Sequence, residues 1–157
     1  MIPVQVLAVQ YLANAAPGLC AGLGIPPGFP SLAMLTTDCD DATYIALDAA
    51  TKAAEVEAVY ARSFYAGSAN ASTPNAGEVI GILAARTPDA ARSGMEAVLR
   101  TLEQVGFEDL DGVPCLAHTV SSVGSFLAAE AGVPLGSAVA YLIAPPLEAM
   151  FALDEAL

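Results

Sequence analysis

Two short motifs occur twice in this chain, and the distance between the copies constrains its architecture more than any other feature. Gly24-Ile25-Pro26 returns 108 residues later as Gly132-Val133-Pro134, and Ala46-Leu47-Asp48 returns 106 residues later as Ala152-Leu153-Asp154. Two anchors at nearly one spacing mark a duplicated domain of about a hundred residues, within the ordinary domain range. The texture between the anchors also repeats: an apolar Leu-Ala helical stretch, a Gly-Pro turn, a short apolar strand, then an Ala-rich helix opened by Asp. The first copy occupies residues 1–106 and the second starts at 107. The second stops three residues after Asp154, at Leu157. Counterparts of the later strand and helix of copy one are missing there, so a longer natural chain is expected.

Residues 4–11 mix β-branched and apolar side chains over a strand length, and 14–24 read as a short helix closed by glycine. Three prolines in 25–30 forbid both a helix and a central strand. Ser31–Thr37 is the next strand, followed by the turn Asp38-Cys39-Asp40-Asp41. Asp48 is then read as the N-cap of a helix over 49–62, with Ala49, Ala53, Val56 and Tyr60 on its inner face. The small, polar run 67–77 reads on composition as a surface connector with little to bury. A strand over 78–84 follows, and Thr87-Pro88 supplies the N-cap and first-turn pair of a helix reaching 105, with Gly106 as its stop. Met95, Val98, Leu99 and Leu102 form its core stripe. In copy two, a strand at 115–120, a helix at 121–131, a strand at 138–144 and a helix from Pro145 reproduce the opening of that order. The class is α+β.

Charge and composition exclude several functions. Five Lys and Arg against 17 Asp and Glu give a net charge of −12, which leaves nothing to neutralise phosphates, so no nucleic-acid partner is expected. Apolar residues make up 55% of the chain, but Pro145-Pro146 interrupts the best apolar run and none is long enough to span a bilayer. Such a composition fits a small-residue core or extensive contact between subunits. Three widely spaced cysteines and one histidine support neither a disulfide framework nor a zinc site, and a reducing cytoplasm fits. His118 lacks a nucleophile elbow or an orienting carboxylate in sequence, so no catalytic triad is expected. There is no GxGxxG or GxxxxGK[ST], and the acidic turn lacks the glycine and glutamate of a calcium loop. No cofactor is expected. What Asp38, Asp40 and Asp41 can do unaided is hold a negative potential that attracts small cations, with Glu78 opening a strand that could converge on them.

These residues resemble the tandem-domain, L-type shell proteins of the bacterial microcompartments for ethanolamine utilisation. The resemblance is carried by Ser31-Leu32, by the run from Asp38-Cys39-Asp40-Asp41 through Ala50-Thr51-Lys52, and by Val59-Tyr60-Ala61-Arg62-Ser63-Phe64-Tyr65-Ala66-Gly67. It continues in Ala76-Gly77-Glu78-Val79, Leu116-Ala117-His118 and Ala140-Tyr141-Leu142-Ile143-Ala144-Pro145-Pro146-Leu147-Glu148-Ala149. It implies two circularly permuted microcompartment domains, each a ferredoxin-like antiparallel sheet with flanking helices, the second (107–157) incomplete here. It also implies a non-enzymatic tile: a homotrimer resembling a hexamer, set among other shell proteins in the cytoplasm. By motif match, Asp40, Asp41 and Glu78 would line a small pore with Phe107 as a wall, suited to a small cationic metabolite such as ethanolamine. Phe64, Tyr65 and the loop carrying Gly67, Ser68 and Asn70 would gate the trimer's central opening. The alternatives are a shell protein of another aldehyde-processing compartment, such as propanediol utilisation, and a small-molecule-binding regulatory α+β protein.

Overall fold

The structure, a computed structural model, describes residues 1–63 and 79–157. The elements run β1 (Ile2–Pro3), β2 (Val6–Leu12), α1 (Pro17–Leu23), β3 (Ser31–Thr37), α2 (Asp40–Ala53), β4 (Val56–Ser63), β5 (Val79–Ala85), α3 (Pro88–Leu102), β6 (Gly106–Leu110), β7 (Val113–Val120), α4 (Ser125–Ala131), β8 (Val139–Ile143) and α5 (Pro146–Ala156). Among the described residues they form two antiparallel sheets, ordered β2-β3-β5-β4 and β1-β6-β7-β8. The fold is therefore mixed, with antiparallel sheets and flanking helices. Among the described residues no helix is long and apolar enough to cross a membrane.

The first sheet is built around its two central strands. Leu32, Ala33 and Leu35 on β3 and Leu83, Ala84 and Ala85 on β5 are buried, because both strands have neighbours on either side and helices cover one face. Small residues let those helices come close. A Cβ at Gly81 would stand 2.8 Å from Leu35 Cδ2 and 3.1 Å from Leu47 Cδ1, and one at Gly94 would stand 2.8 Å from Val56 Cγ1. The α3 stripe is as the sequence predicts, with Met95, Val98 and Leu102 buried and the Thr87 hydroxyl accepting from the Ala90 amide at 3.2 Å. The helix ends at Leu102, however, and Gly106 opens β6 instead of stopping α3.

The largest correction concerns residues 40–63. The expected helix over 49–62 does not exist; α2 begins at Asp40, and residues 56–63 are strand β4, paired antiparallel with β5. The helical reading took Ala49, Ala53, Val56 and Tyr60 as one face. A register shift between Ala58 and Tyr60 explains the error, because the extra residue breaks the strict alternation that announces a strand. Strand β6 also escaped the sequence reading, since Glu108 and Asp109 make it polar. Its hairpin turns at Asp111 (φ 55°) and Gly112 (φ 86°), the two successive left-handed residues of a tight β-hairpin.

The two copies of the Gly-x-Pro motif share a backbone conformation. Gly24 (φ 66°) caps α1, and Gly132 (φ 64°), 108 residues on, caps α4 in the same left-handed conformation. The two halves are also tied at two places. β1 leaves the first half to pair with β6, Ile2 opposite Phe107 and Pro3 opposite Gly106, so the first residues of the chain complete the second sheet. Gly106 has no room for a side chain there, because a Cβ would lie 2.6 Å from the Ile2 carbonyl oxygen.

The second tie is polar. Asp48, read from sequence as the cap of its own helix, sits in the middle of α2 with none of its surface exposed. Its carboxylate accepts from the amides of Gly124 at 2.8 Å and Leu127 at 2.9 Å, capping α4 of the other half. Lys52 Nζ lies 3.0 Å from the same carboxylate and donates to the Ser122 carbonyl at 2.8 Å. A Cβ at Gly124 would come within 2.5 Å of Thr51 Oγ1 and 2.9 Å of Asp48 Oδ1, so glycine is what lets the two helices meet. Replacing Asp48 with Ala strands two buried amides and a lysine. The expected cost is about 3 kcal/mol, seen as a drop of roughly 10 °C in Tm by calorimetry; an unchanged Tm would show that the junction does not depend on this cap.

Candidate functional site

The acidic turn between β3 and α2 is held by hydroxyl groups. The Thr37 and Thr43 hydroxyls lie 2.7 Å from each other and 3.0 and 2.8 Å from the Cys39 carbonyl, so their two protons serve these three contacts in turn. The Cys39 amide donates back to Thr37 Oγ1 at 3.2 Å. Burial, the largest influence, pushes the Cys39 thiol up to about 11, with the surrounding aspartates adding to it. Asp38 belongs to this scaffold. It accepts from the Gln5 amide at 2.8 Å while its own amide donates to the Gln5 carbonyl at 3.2 Å, fastening the start of β2 to the turn.

Asp40 and Asp41 are the first two residues of α2, both half-buried, and the Asp41 amide donates to Asp40 Oδ1 at 2.9 Å. The helix N-terminus favours negative charge at these positions. Burial outweighs it at Asp41, whose carboxyl is raised above the ordinary range by desolvation first and by the Asp40 charge second. Two tyrosines complete the surroundings. Tyr44, one turn further along α2, is raised by burial and then by Asp40, Glu130 and Asp41, with Arg62 opposing. Tyr141 on β8 is pushed up to about 12 by burial, then by Asp41, Asp48, Glu130 and Tyr44. Both phenols therefore stay neutral and can donate hydrogen bonds at neutral pH. The arrangement is a partly desolvated pair of carboxylates flanked by neutral hydroxyls, which suits a small cation or an N–H donor.

Asp40 and Asp41 are thus brought together, and Asp41 and Tyr141 are close enough to feel each other across the two halves. Phe107 sits on β6, half-buried and packed against the main core. The neighbouring pairs Glu108 with Cys115 and Leu116 with Ile143 place Phe107 beside Leu116, on the sheet face that also carries His118 and Tyr141. His118 lies half-buried opposite Tyr141 in the β7–β8 register. Glu78, Phe64, Tyr65, Gly67, Ser68 and Asn70 lie outside the described residues. Tyr44 and Tyr141 were not assigned a part from sequence. They stand 97 positions apart, and no spacing rule joins a residue on a helix of the first half to one on a strand of the second. Among the described residues no group of three or more His, Cys, Asp or Glu could hold a metal ion.

This antiparallel sheet with flanking helices is the fold of the domain from which bacterial microcompartment shells are built. The BMC domain family matches residues 31–110, from β3 to the end of β6. Bacterial microcompartment shell protein EutL of Clostridium perfringens (strain 13 / Type A) is 52% identical over 162 residues, covering all of this chain and 74% of that one. EutL of Salmonella typhimurium is 44% identical over 161 residues, with 100% and 74% covered. The crystal structure of EutL from Leptotrichia buccalis superposes with a TM-score of 0.88 at 47% identity, over 98% of this chain and 72% of that one. The chain belongs to the EutL family of bacterial microcompartment shell proteins. It is a structural shell protein and not an enzyme. The trimeric shell protein PduB shares the fold, with a TM-score of 0.66 at 14% identity over 85% of this chain and 59% of that one.

The raised Asp41 carboxyl has a sign that can be tested. A group whose ionisation is hindered in the folded state contributes stability when protonated and loses it as pH rises through its folded-state value. Asp41→Asn should therefore raise Tm at neutral pH, and the gain should vanish below the ordinary value of 3.8, where Asp41 is protonated folded or unfolded. Melting curves across the acid range read this directly. A gain of the same size at every pH would assign the effect to something other than the charge.

Proposed function

We propose that this chain forms a trimeric, pseudohexameric tile of a microcompartment shell, seated among other shell proteins, and admits a small cationic metabolite, ethanolamine, through acidic pores. The observation that carries the reading is the Asp40–Asp41 pair, half-buried on the first turn of α2 and flanked by tyrosines that stay neutral. Ethanolamine is an ammonium ion near neutral pH, so a negative constriction concentrates it, while neutral aldehydes gain nothing from the same field. Tyr44 and Tyr141 would take its hydroxyl. Glu78 is the third carboxylate of the pore and Phe107 its apolar wall; Val79, the covalent neighbour of Glu78, pairs with Thr37 at the foot of the acidic turn. The segment with Phe64, Tyr65, Gly67, Ser68 and Asn70 serves as the gate of the central opening. The units divide at 106 and 107, with β1 exchanged into the second.

The names of the EutL relatives favour ethanolamine utilisation over a propanediol compartment, and membership of a shell family sets aside the regulatory-protein alternative. Replacing Asp40 and Asp41 with Asn and Glu78 with Gln should weaken ethanolamine binding at least about tenfold, the loss of one or two charge-assisted contacts, with assembly intact. Isothermal titration against sedimentation of the same variant checks both halves of the statement. Binding that survives all three changes would remove these carboxylates from the pore.

A further inference from the structure

The second half of the chain builds the corner of the acidic turn again, without its side chains. At the 106-residue spacing of the Ala-Leu-Asp motif, β8 ends at Ile143 where β3 ends at Thr37, and α5 begins at Pro146 where α2 begins at Asp40. The corner is of one length in both halves. It also closes with the same backbone bond: the Thr43 amide donates to the Cys39 carbonyl at 3.3 Å, and the Ala149 amide to the Pro145 carbonyl at 2.9 Å. The residues differ throughout. Asp38, Cys39, Asp40 and Asp41 correspond to Ala144, Pro145, Pro146 and Leu147, while Thr37 and Thr43 correspond to Ile143 and Ala149.

Carboxylates and buried hydroxyls are thus present together in one half and absent together in the other. The second corner is set by its prolines, with Pro145 at φ −51°, near the angle its ring imposes. That means is closed to the first half. A proline at 40 would remove a carboxylate, and one at 41 would remove the amide that donates to Asp40 Oδ1. Cys39, at φ −143°, is far from a proline's angle, and among the described residues its side chain makes no cap hydrogen bond. The corner is fixed from beneath instead. Thr37 and Thr43 have no exposed surface, and their hydroxyls converge on the carbonyl and amide of Cys39, the residue next to Asp40.

We infer that Thr37 and Thr43 are positioning residues of the cation site: they hold the Cys39 backbone so that Asp40 and Asp41 present their carboxylates to one ligand, while the fold itself does not require them. A pair of groups held in place before the ligand arrives binds more tightly than one that must be ordered during binding. This rests on the pore reading above and adds to it the residues that make the acidic pair rigid.

The test compares Thr43→Val with Thr43→Ser in the full chain. The valine variant removes one hydroxyl and strands no buried group, because the Thr37 hydroxyl still accepts from the Cys39 amide and donates to its carbonyl. It should weaken ethanolamine binding about tenfold by isothermal titration, the scale of one charge-assisted contact, with unchanged sedimentation and far-ultraviolet dichroism. The serine variant keeps the hydroxyl and should bind as the unmodified chain does. Thr43→Ala, matching Ala149 of the second corner, is a second way to remove the hydroxyl. If either hydroxyl-free variant folds and binds undiminished, or the serine variant is as weak as they are, this inference falls. The pore reading then stands, provided that Asp40→Asn with Asp41→Asn loses binding; if that pair binds undiminished, both readings fall. Unfolding of both hydroxyl-free variants would make the hydroxyl a requirement of the fold and overturn the inference as well.

Discussion

A buried carboxylate is the polar link between the two halves of this protein. A carboxylate with no exposed surface is tolerable only where it is hydrogen-bonded and its charge is paired, and Asp48 is held by two helix amides and a lysine. The requirement propagates outward. Position 124 must be glycine for α4 to reach the carboxylate, and the aromatic pair of Tyr44 and Phe126 fills the remaining gap. The same approach brings β8, and with it Tyr141, to the acidic turn. The geometry of the candidate pore wall is thus a by-product of how the halves are joined.

That turn shows how a modest set of residues fixes charge without a metal or a disulfide. Two threonine hydroxyls and one backbone carbonyl hold the Cys39 corner, and Asp38 is occupied in fastening β2. Asp40 and Asp41 are left to face outward from the helix start, where the backbone field favours them and burial opposes them. Neutral tyrosines beside them add hydrogen-bonding capacity without cancelling the field.

Much of the first sheet was legible because its signals are local. Ser31–Thr37 and the Thr87-Pro88 start of α3 announce themselves by periodicity and capping chemistry. The failure at 49–62 has a physical source in the shift at Ala58 and Tyr60, which erases the strand period. Asp48 is an instructive half-error. Its residue type was rightly read as a cap, but the helix it caps lies 76 positions away in sequence, a distance over which composition says nothing. The acidic pair could be found in a linear string, since its members are adjacent; its tyrosines could not, since only the closed junction makes them neighbours.

The exchange of β1 into the second sheet bears on how the chain acquires its structure. Ile2 and Pro3 are synthesised before their partners Phe107 and Gly106, which follow more than a hundred residues later, a wait on the order of ten seconds at ordinary synthesis rates. The first sheet can form in that interval, since β2 to β5 lie within residues 6–85. Ile2 and Pro3 lack these partners meanwhile, and Pro3, with no amide hydrogen to offer, makes the segment a poor template for a stray strand. Closing that long loop is then a late step, one that cannot begin until the second half has arrived to receive it.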